Sequence, residues 1–367
     1  MKKNILIVAS GTGGHVIPAK NISEKLAQRG YSVTWIGTKS GIENLILKDE
    51  SYKLIYISST GVRGKRIWET IKGLTNAVRS VFHSLLIIKR EKPIFVLGFG
   101  GYITVPVSIA AFIMRVPIYV HESNSVPGTA NKINKMLSRL TFETFPNTFT
   151  TRERVITSGN PINDSFSEIT TPDSNYCKRK EILNILVIGG SQGARFFNNT
   201  IPQCIHFRSP GSKFKIKHIS GKDNSQSVKE NYGNNFCQAE VIEFSNNMDT
   251  LYNWSDIIIS RAGSMTISEI SKSGRTAILV PFLYATDNHQ HRNAKYLVDN
   301  NAAIIIKEDS TFSENLTETL SELYNNQDWL AELAMNSKNL FPEDSSAIIL
   351  GKIPELNEEF DYTTPKK

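Results

Sequence analysis

Three cysteines in 367 residues, Cys177, Cys204 and Cys237, are too few and too scattered for a disulfide framework or a metal-binding spacing. That scarcity fits a reducing cytosol. No apolar run approaches the roughly 20 residues that a membrane-spanning helix needs. The opening Met1-Lys-Lys-Asn-Ile-Leu-Ile-Val-Ala9 faintly resembles a signal peptide. Its apolar part is short and leads straight into a glycine loop, so it reads as a first strand. No Asp-x-Asp pair occurs, which argues against a metal-bridged diphosphate.

What is present is the composition of a soluble globular chain, with 40% hydrophobic and 21% charged residues and a length that suggests about two domains. The net charge of +7 is concentrated: residues 63–92 hold eight Lys or Arg against two Glu. That patch carries no nucleic-acid motif and is mixed with large apolar residues, so nucleic acid is not expected as a partner.

Residues 4–9 read as a strand, followed by Ser10-Gly-Thr-Gly-Gly-His15, a helix from about Pro18 to Arg29 and a strand over 31–36. A dinucleotide fold would place Gly-x-Gly-x-x-Gly here and an acid at the end of the second strand. Position 16 is Val and the second strand ends in Ile36-Gly-Thr38, so that reading is rejected.

In residues 62–92, Ile67, Ile71, Leu74, Val78, Val81, Leu85 and Ile88 recur at alternating four- and three-residue steps, which predicts an amphipathic helix. Arg66, Trp68, Lys72, Arg79 and Phe82 give it a basic face with aromatics. Two readings stand open, a core helix with a solvated basic face and a segment that lies on an anionic membrane.

Further buried strands are expected at 94–98 and 118–121, leading to Gly98-Phe-Gly-Gly-Tyr102 and His121-Glu-Ser-Asn124. Three polar or glycine-rich turns at strand ends suggest one ligand-binding edge, since ligands of open α/β sheets meet the C-terminal ends of strands. A second domain opens as the first does, with a strand at 182–188 and Gly189-Gly-Ser-Gln-Gly-Ala-Arg195. Its centre is residues 260–290, a strand end, the turn Arg261-Ala-Gly263, a short helix closed by Gly274, and a strand at 277–280. Such a turn aims helix N-terminal amides at one point, which suits a diphosphate, and Glu269 one turn on can accept hydrogen bonds from sugar hydroxyls. The boundaries expected are 1–162 and 163–340, with a terminal segment from about 341 packing back on the first domain and 357–367 a loose tail.

Together Gly11–His15, Gly98–Tyr102, His121–Asn124, Gly159–Pro161, Gly189–Arg195, Arg261–Glu269 and Pro281–Gln290 resemble, in order and spacing, the MurG family of GT-B-fold transferases. The resemblance implies two Rossmann-like α/β domains facing a cleft. It implies an inverting transfer of N-acetylglucosamine (GlcNAc) from UDP-GlcNAc to the muramyl 4-hydroxyl of undecaprenyl-pyrophosphoryl-MurNAc-pentapeptide, the step from lipid I to lipid II of peptidoglycan synthesis. No cofactor or metal is implied. Expected partners are UDP-GlcNAc, lipid I, the anionic cytoplasmic face of the inner membrane and other cell-wall synthesis proteins.

Carried over residue by residue, donor binding falls to Thr12, Gly13, Gly14, Asn124, Ser191, Ser245, Ser264, Met265, Thr266, Ile267, Ser268, Glu269 and Gln290. Gly98, Gly100, Gly101 and Tyr102 fall on the acceptor side. Asn163 stands where the family carries a donor-contacting Arg, and Ser123 where it carries Gln. His15 is the candidate base because imidazole titrates near neutrality, with His121 and Glu122 as lesser candidates. The rival readings are a UDP-GlcNAc 2-epimerase or related GT-B enzyme, and a non-catalytic UDP-sugar sensor.

Overall fold

The structure is a computed structural model that describes residues 2–48, 50–57, 67–190, 193–204, 213–233 and 239–356, without the side chains of 67–74 and 286. The chain divides into two compact units, Met1–Ile162 with Asp344–Lys367, and Asn163–Glu343. The expected tail at 357–367 lies outside the described residues.

In the first unit, β1 (Asn4–Ala9) leads to α1 (Gly13–Gln28), β2 (Ser32–Gly37), α2 (Glu43–Ile46), β3 (Lys53–Tyr56) and α3 (Ile67–Glu91). Then come β4 (Val96–Gly100), α4 (Thr104–Ile113), β5 (Ile118–Glu122), α5 (Thr129–Leu137), β6 (Leu140–Glu143) and β7 (Val155–Thr157). Among the described residues the strands form one parallel sheet in the order β3-β2-β1-β4-β5-β6-β7. A parallel sheet is covered on both faces, so its central strands are apolar throughout rather than alternating. Thus Ile5, Ile7 and Ala9 enter one core with Val16 and Leu26 of α1, while Leu6 and Val8 enter the other with Ile87, Ile88 and Val107.

The second unit opens with α6 (Pro172–Asn175), β8 (Leu183–Ile188), α7 (Arg195–Thr200), β9 (Phe214–Ile219), α8 (Ser225–Tyr232), β10 (Ala239–Ile242) and α9 (Met248–Trp254). It continues with β11 (Ile257–Ser260), α10 (Ser264–Ser273), β12 (Thr276–Leu279), α11 (His289–Asp299), β13 (Ile304–Ile305), α12 (Phe312–Asn325) and α13 (Gln327–Lys338). Its parallel sheet runs β10-β9-β8-β11-β12-β13. Finally α14 (Ser345–Gly351) returns to the first unit, where Ile349, Leu350, Ile353 and Leu356 join the α1 core. Glu355 fixes that return by accepting from the Tyr119 hydroxyl at 2.6 Å and pairing with Arg139 at 2.5 Å.

Two local expectations change. Helix α1 begins at Gly13, five residues before Pro18, because the fold supplies what proline removes. Pro18 has no N–H for the Gly14 carbonyl, and the Ser123 hydroxyl donates to that carbonyl instead, at 2.9 Å. Helix α3 follows only part of the expected stripe: Ile88 is buried and Val81 and Leu85 are half-buried, but Val78 is exposed. Its inner face is Ser80, Ser84, Ile87 and Ile88, with both serine hydroxyls bonded back to carbonyls four residues earlier. Helix α3 packs on α4, and Val78, Phe82 and Leu86 are left exposed at 64%, 63% and 53%. No helix among the described residues is long and apolar enough to cross a membrane.

Candidate active site

In the first sheet the strand order reverses between β1 and β4, and that reversal point is where an open α/β sheet offers a crevice to ligands. The loop after β1 and the loop after β4 meet there. Val8 pairs with Gly98 but Ala9 pairs with Gly100, so Phe99 is an extra residue that bends the end of β4. Gly100, at φ +120°, lies against the His15 ring: a Cβ there would sit 2.8 Å from Cδ2 and Nε2. The ring's Nδ1 is 3.1 Å from the Ser10 carbonyl oxygen. A carbonyl only accepts, so Nδ1 carries the proton and Nε2 keeps its lone pair. Helix α1 starts at Gly13 and Gly14, where no side chain shields the backbone amides, and Thr12 before them is exposed. Tyr102, on the second glycine loop, is 54% exposed.

His121 and Glu122 take bracing roles. His121 is buried, its Nε2 donates to the Gly159 carbonyl at 3.1 Å, and burial pushes its pKa down to about 4. Such a ring stays neutral and holds its proton toward Gly159. Glu122 is also buried. Its Oε1 accepts from the Asn124 amide at 3.0 Å, and its Oε2 from the Gly128 amide at 3.1 Å and from Asn131 Nδ2 at 2.9 Å. It orders the turn that carries Asn124.

In the second sheet the order reverses between β8 and β11. The third glycine loop follows β8, and Arg261-Ala-Gly263 follows β11. Gly193 packs on the Ser220 carbonyl with no room for a Cβ. The same carbonyl accepts from Asn198 Nδ2 at 2.9 Å. Gly263 caps α10 in an extended conformation, and Ile267 is the first amide to return to it, at 3.0 Å. The turn from Ser264 to Thr266 therefore presents the positive end of the helix at the sheet's ligand edge. Arg261 is not available to an anion. Its guanidinium pairs with Glu308, donates to the Val280 carbonyl at 3.2 Å and lies 4.7 Å from the Phe197 ring centroid and 5.4 Å from that of Phe282.

Glu269 is partly exposed one turn into α10, and desolvation pushes its carboxyl up to about 7 against the Tyr252 hydroxyl, which donates to Oε2 at 2.9 Å. Gln290, in the first turn of α11, accepts through Oε1 from the Phe282 amide at 2.9 Å, which turns its NH₂ group into the donor it can offer a ligand. Asn293 of the same helix donates to the Ala262 carbonyl at 3.2 Å and so ties α11 to the Arg261–Gly263 turn.

The structure thus brings Ser264, Met265, Thr266, Glu269 and Gln290 to one sheet edge. Ile267 is fully buried, and the Ser268 hydroxyl is bound to the Ser264 carbonyl at 2.9 Å. Helical periodicity turns both side chains inward. Ser245 accepts from the Asn247 amide at 3.1 Å, in the turn before α9. Asn163 caps a short 3-10 turn, Asp164–Glu168, by accepting from the Ser165 amide at 3.0 Å. Its side chain is engaged in local structure where the family carries a cation. Ser191 and Arg66 lie outside the described residues, as do the side chains of Trp68 and Lys72. Tyr252 and Ser10 carry no sequence signal of their own; one resembles a core aromatic and the other acts through its backbone.

Two family models match this chain, the glycosyltransferase family 28 N-terminal domain over residues 5–141 and the family 28 C-terminal domain over residues 184–347. A relative from Pseudomonas paraeruginosa, a UDP-N-acetylglucosamine–N-acetylmuramyl-(pentapeptide) pyrophosphoryl-undecaprenol N-acetylglucosamine transferase, is 35% identical over 356 residues, 97% of this chain and 99% of its own. The crystal structure of Acinetobacter baumannii MurG superposes with a TM-score of 0.81 at 30% identity, covering 95% of this chain and 98% of that one. A UDP-GlcNAc 2-epimerase from Neisseria meningitidis superposes with a TM-score of 0.64, covering 96% of this chain and 99% of that one, and at 14% identity shows the fold alone.

Proposed function

The chain belongs to glycosyltransferase family 28, and from that premise we propose how its residues carry out transfer of GlcNAc from UDP-GlcNAc to undecaprenyl-pyrophosphoryl-MurNAc-pentapeptide. The enzyme is an N-acetylglucosaminyltransferase with a GT-B fold that converts lipid I to lipid II. The observation that carries the mechanism is the placement of a proton acceptor at one reversal point and a helix N-terminus at the other.

The second domain holds the donor. The first turn of α10, Ser264 to Thr266, meets the diphosphate, Glu269 accepts from the ribose hydroxyls, and the Gln290 NH₂ donates to the sugar. The positive helix end stabilises the leaving UDP as charge develops on it, without a metal. Activity that survives EDTA tests that last point, and loss restored by a divalent cation contradicts it.

The first domain supplies the base. With Nδ1–H held by the Ser10 carbonyl, His15 Nε2 takes the proton of the muramyl 4-hydroxyl as that oxygen attacks the anomeric carbon. The Ser10 carbonyl then stabilises the imidazolium that forms. Attack from the face opposite UDP inverts the α donor to a β(1→4) linkage. Gly100, Gly101 and Tyr102, beside this histidine, face the acceptor's pyrophosphate and sugar.

The acceptor is a membrane lipid, so the enzyme works as a peripheral protein on the cytoplasmic face of the inner membrane. The supporting surface is the exposed trio Val78, Phe82 and Leu86 of α3, together with Phe112, Ile113 and Met114 at the end of the α4 helix that packs on it. Exposed Arg79, Lys89, Arg90 and Arg115 border these residues. Each cation near an anionic surface contributes about 1 kcal/mol. Reversing the charge at Arg66, Lys72 and Arg79 should therefore weaken binding to anionic vesicles by about 100-fold or more, and unchanged binding sinks the docking assignment.

Transfer itself is tested with radiolabelled UDP-GlcNAc and a short-chain lipid I analogue. Label should pass to the lipid. Tight donor binding without turnover would favour a sensor, and conversion of the nucleotide sugar alone would favour an epimerase.

A further inference from the structure

We propose that Tyr252 is a positioning residue for nucleotide binding, fixing the Glu269 carboxylate in the orientation that accepts from the ribose. The inference rests on the assignment of Glu269 to the ribose hydroxyls. Tyr252 is fully buried on α9, yet its hydroxyl reaches the ligand edge and donates to Glu269 Oε2 at 2.9 Å. Among the described residues Glu269 Oε1 makes no hydrogen bond, so one oxygen is anchored and the other is offered.

The anchor is itself immobilised. The Tyr252 carbonyl accepts from Arg275 Nε at 3.1 Å and from the Ser255 hydroxyl at 2.9 Å. Its ring meets Phe166 edge-on, with centroids 5.2 Å apart. Arg275 is completely buried and also donates to the Thr170, Ser273 and Asn253 carbonyls. That guanidinium joins α9 to the end of α10 and to the segment entering the domain. The tyrosine hydroxyl therefore stands at a fixed point. A free glutamate would have to lose its own rotamer freedom on capturing a ribose; here the tyrosine has already removed it.

The experiment compares the affinities of UDP and 2′,3′-dideoxyuridine diphosphate by calorimetry, in wild type, Tyr252→Phe, Glu269→Ala and the double variant. Wild type should prefer UDP by about tenfold or more, since hydrogen bonds to a charged group are at stake. Glu269→Ala should abolish that preference. Tyr252→Phe keeps the ring packing and should cut the preference severalfold while leaving the dideoxy affinity as it was. Added to Glu269→Ala, it should change neither affinity, and this comparison keeps the test open if the single variant fails to fold, because both partners of the contact are then gone. A full preference in Tyr252→Phe, an equal loss for both ligands, or a further loss in the Glu269→Ala background overturns the positioning role. A wild type without preference, or a preference that survives Glu269→Ala, overturns the ribose assignment and the inference with it.

Discussion

The Ser123 hydroxyl donates to the Gly14 carbonyl at 2.9 Å, the one carbonyl in α1 that Pro18 leaves without its helical donor. The contact crosses from the end of β5 to the first turn of α1, next to His15. Ser123→Ala should leave that carbonyl unpaired and lower stability by about 1 kcal/mol, read as a drop in thermal midpoint. Turnover should fall as well, because the unpaired carbonyl belongs to the turn that carries His15, the proposed base. A variant with unchanged midpoint and unchanged turnover would show that water replaces the serine without cost.

His15 is held by a carbonyl on one side and by Gly100 on the other. His15→Gln removes the proposed base and should lower kcat by about 10²- to 10⁴-fold with little change in KM for UDP-GlcNAc. Gly100→Ala places a methyl 2.8 Å from the ring at a φ of +120° and should also lower kcat without removing any functional group. A large rise in the donor KM in either variant would mean that this histidine binds nucleotide instead.

Glu269 connects binding to stability. Desolvation raises its folded pKa from the usual glutamate value of 4.5 to about 7. Between those values the folded protein holds a proton that the unfolded chain has released. Stability therefore falls as pH rises through this window, and the whole penalty is present above it. Glu269→Gln should stabilise the protein at pH 8 by about 1–2 kcal/mol, allowing for partial exposure, and by much less at pH 5. The same change should weaken UDP binding. Thermal unfolding at the two pH values checks it, and equal shifts at both would refute the linkage.

His218 predicts the opposite slope. It is buried, accepts through Nδ1 from the Tyr232 hydroxyl at 2.9 Å and donates from Nε2 to Asn198 Oδ1 at 3.1 Å. Burial pushes its pKa down to about 3. Below pH 6.5 the unfolded chain takes up a proton that the folded ring refuses, so stability is lost as pH falls from there toward 3, by up to about 1.4 kcal/mol per unit. His218→Gln should be less stable at neutral pH but show a flatter decline between pH 6 and 4. Urea midpoints across that range measure it, and parallel curves for the two proteins would count against the assignment.

The sheets and the loops around the candidate site were legible in the sequence because parallel strands are apolar on both faces and end near glycines. The loops at Gly11, Gly189 and Gly263 all follow strands, while Gly98 and Gly100 lie within the end of β4, which runs two residues further along than the strand expected at 94–98. The helix start at Gly13 was hidden by Pro18, since the donor that replaces its N–H comes from Ser123, more than a hundred residues away. The facing of α3 was hidden because Ser80 and Ser84 form its buried surface, and serine reads as polar. Tyr252 was invisible because its spacing is that of a packing residue; only its hydroxyl contact marks it. The His15 tautomer depends on a backbone oxygen, to which side-chain patterns carry no clue.

The central claim is inverting transfer to a sugar hydroxyl with His15 as base, and the linkage in the product tests it most directly. The disaccharide made from UDP-GlcNAc and a lipid I analogue, analysed by nuclear magnetic resonance, should show a β-configured GlcNAc on the muramyl 4-oxygen. Its rate of formation should collapse in His15→Gln. An α-linked product, a different linkage position, or undiminished formation in that variant would contradict the account.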